Sequence, residues 1–167
     1  VYPPLVWISS YVFSESLYSL LAIATARTLQ SSVTDARHPP LRATAAGILG
    51  GAAVLVRPAM LFFLPMALIW LFWRRAPRHA VALAAGSLLV IAPWTARNLR
   101  TYDRFVLVAS EGGVTFWTGN HPLAKGEGDL AANPELKMAE IEFRRSHPGL
   151  TAEQLEPLYY RDALGHI

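Results

Sequence analysis

Apolar and polar positions divide this chain in two. Up to about residue 96, long apolar runs are broken only by short polar clusters; from Arg97 onward, apolar residues recur among mixed charges. Residues 5–26 make the first run, long enough at about 1.5 Å per residue to cross about 30 Å of hydrocarbon. Tyr2 and Trp7 mark one edge of it and Arg27 the other, while Ser9, Ser10, Ser14, Ser16 and Ser19 give it a small, hydroxyl-rich face suited to close helix packing. Residues 30–42 form a polar loop broken by Pro39 and Pro40. Residues 43–73 are one apolar run interrupted only by Arg57-Pro58. A single helix of that length would be about 46 Å long with Arg57 near its middle. The residue before a proline is pushed away from helical dihedrals, and proline suits the first turn of a new helix. The pattern therefore predicts two short segments, 43–56 and 58–73, turning at Arg57. Gly47 and Gly51 are spaced for close packing within the chain. A fourth segment, 80–96, follows Arg74, Arg75, Arg78 and His79 and closes at Pro93-Trp94, a residue type favoured where an apolar span meets headgroups.

The polar half reads as mixed structure. Residues 104–109 are β-prone and predict a strand, Glu111-Gly112-Gly113 a turn, and residues 115–118 a second short strand ending at Gly119-Asn120-His121-Pro122. Asn133-Pro134-Glu135 is a helix start, with an N-cap, proline at N1 and an acid in the first turn. That helix runs to about Ser146 with Leu136, Ala139 and Phe143 on one face. Thr151 and Gln154 have capping-box spacing ahead of a helix carrying Leu155, Leu158, Tyr159 and Ala163 on one face; Pro157 offers a later alternative start. The expected fold is mainly α: a polytopic membrane helical bundle over residues 1–96 with about four membrane segments, two of them short. A small α+β extracytoplasmic segment, 97–167, follows and reads as truncated.

Charge sharpens the division. The net +3 hides seven Arg against Glu15 and Asp35 before residue 97, and eight Lys and Arg against ten acids after it. A basic chain raises nucleic acid as a partner, but here the base-rich half is also the apolar half, so membrane topology accounts for the charge and no nucleic acid is expected. With the turn at Arg57, the basic clusters at 27–42 and 74–79 share the cytoplasmic side. Residue 1, Arg57 and everything after Trp94 then lie outside, as in an integral protein of a bacterial inner (plasma) membrane. The first run lacks the basic flank and cleavage site of a signal peptide, and the chain reads as a fragment of a longer polytopic protein. There is no cysteine, no metal-ligand spacing and no phosphate-binding glycine loop, so no metal or cofactor is expected.

Six residues carry candidate chemistry. Glu15 lies within a span, where a carboxylate is costly unless it faces protein or water; it serves either a catalytic cavity or the packing of the serine face. Arg57, at the tip of two short segments, either holds a phosphate with its planar fork or snorkels to lipid. Arg97 and Asn98 follow the last span as substrate contacts or as an interfacial anchor with Trp94. Asn120 and His121 lie on a loop where they could bond sugar hydroxyls.

Taken in order, Arg57-Pro58 after a Gly-rich span, Pro93-Trp94 with Arg97-Asn98, Phe105-Val106, Gly112-Gly113 and Gly119-Asn120 with Pro122 resemble the middle of a family-39-type membrane glycosyltransferase. Protein O-mannosyltransferases and lipid A aminoarabinose transferases are of this kind. The resemblance covers nearly the whole chain. It implies a C-type glycosyltransferase fold, a polyprenyl-phosphate sugar donor, a protein or lipid acceptor, and inverting transfer on the outer face. It also implies a catalytic Asp in an outer loop near the protein's N-terminus. No motif here matches that loop, so the base is expected upstream, while Glu15 lies where similar proteins carry an acid near the catalytic cavity. Two other classes stay open: a transporter or flippase using Glu15 and Arg57 as intramembrane sites, and a non-catalytic membrane scaffold.

Overall fold

The structure is a computed structural model that describes residues 14–35, 39–109, 111–126 and 130–167. The proposed interface residues Tyr2 and Trp7, Ser9 and Ser10, and the first part of the 5–26 segment lie outside them. The chain divides into two compact units between Asn98 and Leu99.

In the first unit, α1 (Ser14–Thr34) and α2 (Pro39–Val56) run antiparallel. Glu15 meets Arg57 at one end of the pair and Asp35 meets Arg42 at the other. Pro39 and Pro40 open α2 rather than breaking a loop, because a proline in the first turn forfeits no helical hydrogen bond. The chain breaks at Arg57, as the Arg-Pro pair predicts. Arg57 is extended (φ −143°, ψ 118°), and Pro58 starts a 3-10 turn (Pro58–Phe62) that leads into α3 (Phe63–Trp73). After a tight turn comes α4 (Pro77–Tyr102), which completes the unit as far as Asn98 and carries its last turn past the boundary.

Small residues make this packing possible. On α2, Ala43, Ala46, Gly47, Gly50, Gly51 and Ala53 are buried. A Cβ added at Gly47 would lie 2.1 Å from the Leu83 carbonyl oxygen, and one at Gly86 2.3 Å from that of Thr44. The backbones of α2 and α4 therefore touch directly. Leu29, Leu71 and Leu83 join these small residues in the core, while other large apolar side chains point outward: Leu20, Met66, Trp73 and Leu89 are each more than 60% exposed. Such an arrangement suits lipid rather than water.

Two helices, Pro39–Val56 and Pro77–Tyr102, are long and apolar enough to cross a membrane, against the expected four or so; Pro58–Trp73 is apolar but shorter. The described part of the first expected span is displaced toward polar sequence. α1 continues eight residues past residue 26 to Thr34, through Arg27 and Gln30. Nor does Pro93 end the last apolar helix, which runs on to Tyr102. The ring removes one amide donor, and the Thr95 hydroxyl donates to the Ile91 carbonyl at 3.1 Å one turn away.

The α3–α4 turn is a Schellman motif. The Ala76 amide reaches back to the Leu71 carbonyl and the Arg75 amide to that of Phe72. Its left-handed position, normally glycine, is Arg75 (φ 55°), which costs about 1–2 kcal/mol.

In the second unit, α5 (Gly112–Asn120), a 3-10 turn (Leu130–Ala132), α6 (Pro134–Arg145) and α7 (Ala152–Leu164) enclose Trp117, Leu136, Leu155, Tyr159 and Ala163. Asn133 caps α6 by accepting from the Leu136 amide, and Thr151 with Gln154 forms the capping box of α7, which starts at Ala152 and carries Pro157 inside. The expected α+β character is overturned: no strand occurs among the described residues. Residues 104–109 have no sheet partner and are irregular, with Val106 buried. Residues 115–118, the expected second strand, are helical. Thr115 and Thr118 turn their hydroxyls back onto the Glu111 and Thr115 carbonyls, and Trp117 fills the core from the opposite face. Gly112 and Gly113, the expected turn, instead let α5 close on Glu156 and Tyr160 of α7. Packing overrides β-propensity here.

Candidate functional site

The extended backbone at Arg57 releases its side chain from the helical register and turns it across to α1. Its Nη2 donates to Glu15 Oε1 at 2.6 Å. Both side chains remain about half exposed, at 45% and 52%. A guanidinium has five N–H donors in a planar fork, so one bond to Glu15 leaves a face for a second anion. Beside the pair, the Tyr18 hydroxyl lies 3.9 Å from Met60 Sδ. The structure thus joins the two residues with the sharpest sequence signals, 42 positions apart.

Near the end of the first unit, the Arg97 guanidinium sits 4.9 Å from the centre of the Trp94 ring and donates to Asn98 Oδ1 at 3.3 Å. Asn98 is only 2% exposed. That geometry matches an anchored pair more closely than two free substrate contacts.

Asn120 and His121 belong to the second unit. Asn120 Nδ2 donates to the Phe116 carbonyl at 2.8 Å, inside its own helix turn. The His121 ring lies tilted against Trp117 at 4.4 Å between ring centres and edge-on to His166 at 5.4 Å, and it accepts the Leu123 amide at Nδ1. Burial and the neighbouring His166 hold its pKa below the usual 6.5, with Asp162 pulling the other way.

Two polar clusters in this unit escape a reading along the sequence. Asp162 accepts from Trp117 Nε1 at 2.7 Å and pairs with His166 at 3.4 Å. Glu140, 6% exposed, accepts from the Tyr159 hydroxyl at 2.8 Å and from Arg144 Nε. Burial and the adjacent Glu140 carboxylate push the Tyr159 pKa up to about 12. The four-residue spacings of Glu140 with Arg144 and of Asp162 with His166 were the available signals. Among the described residues, no group of His, Cys, Asp and Glu could hold a metal.

Family models, curated proteins and solved structures gave no match to this chain.

Proposed function

We propose that the chain is part of an integral-membrane glycosyltransferase in which Arg57, oriented by Glu15, receives the phosphate of a polyprenyl-phosphate sugar donor. The observation that carries this reading is the 2.6 Å Arg57–Glu15 pair at the break between two apolar helices. An ion pair this exposed adds at most about 1 kcal/mol to folding in water. Its value lies in aiming a permanent cation at headgroup depth.

In the reaction, an acceptor hydroxyl attacks the anomeric carbon as the bond from that carbon to the phosphate oxygen breaks. The bonding pair leaves with the polyprenyl phosphate, whose growing negative charge Arg57 stabilises. The hydroxyl proton passes to a base outside this chain. Glu15, occupied by Arg57, acts as a positioning residue. Arg97 and Asn98 hold the helix end near the interface. Transfer on the outer face of a bacterial inner membrane, with residues 97–167 outside, belongs to the same proposal.

Retention of undecaprenyl phosphate, the leaving group such donors share, tests the site without knowledge of the sugar. In the membrane-incorporated full-length protein, Arg57→Ala should weaken retention and slow transfer by two to three decades, about 2–4 kcal/mol. Arg57→Lys should restore part of both, because it keeps the charge and loses the fork. Glu15→Gln should cost less, and should add nothing to Arg57→Ala. Near-normal retention and turnover in Arg57→Ala would overturn the assignment.

A further inference from the structure

Arg57 lies at one end of the apolar stretch Pro58–Trp73, and Arg74 and Arg75 lie at the other. Between the ends of α1 and α3 and the start of α4 opens a cleft of about 560 Å³, lined by Asp35, Trp73, Arg74, Arg75 and His79 among others. The acid on its wall is neutralised, since Asp35 pairs with Arg42 at 2.7 Å. The cations are not. Arg74 lies over the Trp70 ring at 5.9 Å, and neither Arg74 nor Arg75 has a carboxylate partner among the described residues. His79 Nδ1 is buried with no hydrogen-bond partner among those residues. Arg75 occupies the left-handed position of the Schellman turn, where glycine would serve the fold better. A side chain kept where the backbone disfavours one points to a use for the side chain.

We propose that this cleft binds the phosphate of an anionic lipid headgroup, held by Arg74 and Arg75 with the imidazole of His79. Two guanidinium forks beside an exposed tryptophan, at the end of an apolar helix, form the kind of basic pocket between helices that recognises such headgroups. The proposal requires the first unit to lie in a membrane. It does not depend on the transferase reading.

The test uses the full chain in nanodiscs of phosphatidylcholine with a minor fraction of phosphatidylglycerol, reading retained lipid by native mass spectrometry and stability by thermal unfolding. Wild type should retain phosphatidylglycerol in preference to phosphatidylcholine and melt higher with it. Arg74→Gln/Arg75→Gln should lose the preference roughly tenfold. Arg75→Gly is the sharper variant: it should match or exceed wild-type stability in phosphatidylcholine and yet lose most of the preference. Arg78→Gln, which removes one charge outside the cleft as Arg75→Gly removes one inside it, should keep it. Equal loss from Arg78→Gln would show diffuse attraction, and an unchanged preference in Arg75→Gly would show no use of that side chain; either overturns the site. Stabilisation by millimolar inorganic phosphate with none by phosphatidylglycerol would assign the cleft to a soluble ligand and overturn the headgroup.

Discussion

The two units bury leucines alike but differ in where their helices come closest. The first puts its smallest residues inside, so that α2 meets α4 through Gly47, Gly51 and Gly86, and it leaves Leu20, Met66 and Leu89 on the outside. The second puts its largest residue inside: Trp117 is 2% exposed and packs against Phe143 and Tyr159, and among the described residues Glu140 is the charged side chain buried with it. In water, burying large side chains is the main favourable term, and the second unit follows it. In lipid the surroundings are as apolar as leucine, so helices gain by fitting backbones closely, as the first unit does. A lipid-facing first unit and a water-facing second unit would show this contrast.

Adding volume should hurt the first unit most. Gly47→Ala places a carbon against the Leu83 carbonyl, which cannot step aside, and should cost upward of about 3 kcal/mol, read as lost thermal stability in detergent or nanodiscs. Removing volume should hurt the second unit most. Trp117→Ala should cost about 3–5 kcal/mol, seen as loss of near-ultraviolet ellipticity while the first unit keeps its helicity. Equal tolerance of Gly47→Ala and Trp117→Ala would erase the contrast.

The buried polar links of the second unit should make its stability depend on pH at both ends. Tyr159 is held protonated in the folded state up to about 12, whereas its ordinary pKa is 10.0. The unfolded chain therefore releases that proton first as pH rises. Stability should be full below pH 10 and fall between pH 10 and 12 by on the order of 2 kcal/mol; Tyr159→Phe should remove this dependence. His121 has the opposite sense. Its folded pKa is depressed, so the unfolded chain takes up the proton first, and stability should decline as pH falls through 6.5. His121→Gln should flatten that smaller acid-side slope in thermal melts.

The smallest effect distinguishes a helical glycine with room from one without. A Cβ at Gly119 would meet nothing within 4 Å, so Gly119→Ala should stabilise α5 by about 0.5–1 kcal/mol. Had residues 115–118 been a strand, that gain would have no basis.

Local chemistry was legible along the chain at some caps and prolines, though not at Pro39 and Pro40, which open α2, nor at Pro93, which stays inside α4. The break at Arg57-Pro58, the start at Asn133-Pro134 and the Thr151–Gln154 box depend on near neighbours only. Residues 115–118 were misread because Thr, Phe and Trp favour strands when no partner is considered. Their partner is α7, more than thirty residues away, and the small faces of Gly112 and Gly113 make room for it. Arg57 and Glu15 each stood out as costly charges among apolar residues, but their pairing across 42 positions appears only once α1 and α2 lie side by side. Arg75 carried a weaker clue, an apolar helix followed by two arginines and Pro77, with no glycine at its end.

The central claim is that the exposed apolar surface of the first unit faces lipid. The chain has no cysteine, so single cysteines can be placed at Leu20, Met66 and Leu89 and, for comparison, at Ser146 on the exposed end of α6. In intact membranes a water-soluble maleimide should leave the first three unlabelled until the protein is denatured, while Ser146→Cys labels wherever its side of the membrane is open to the reagent. Labelling of Leu20→Cys, Met66→Cys and Leu89→Cys as fast as Ser146→Cys would contradict the claim.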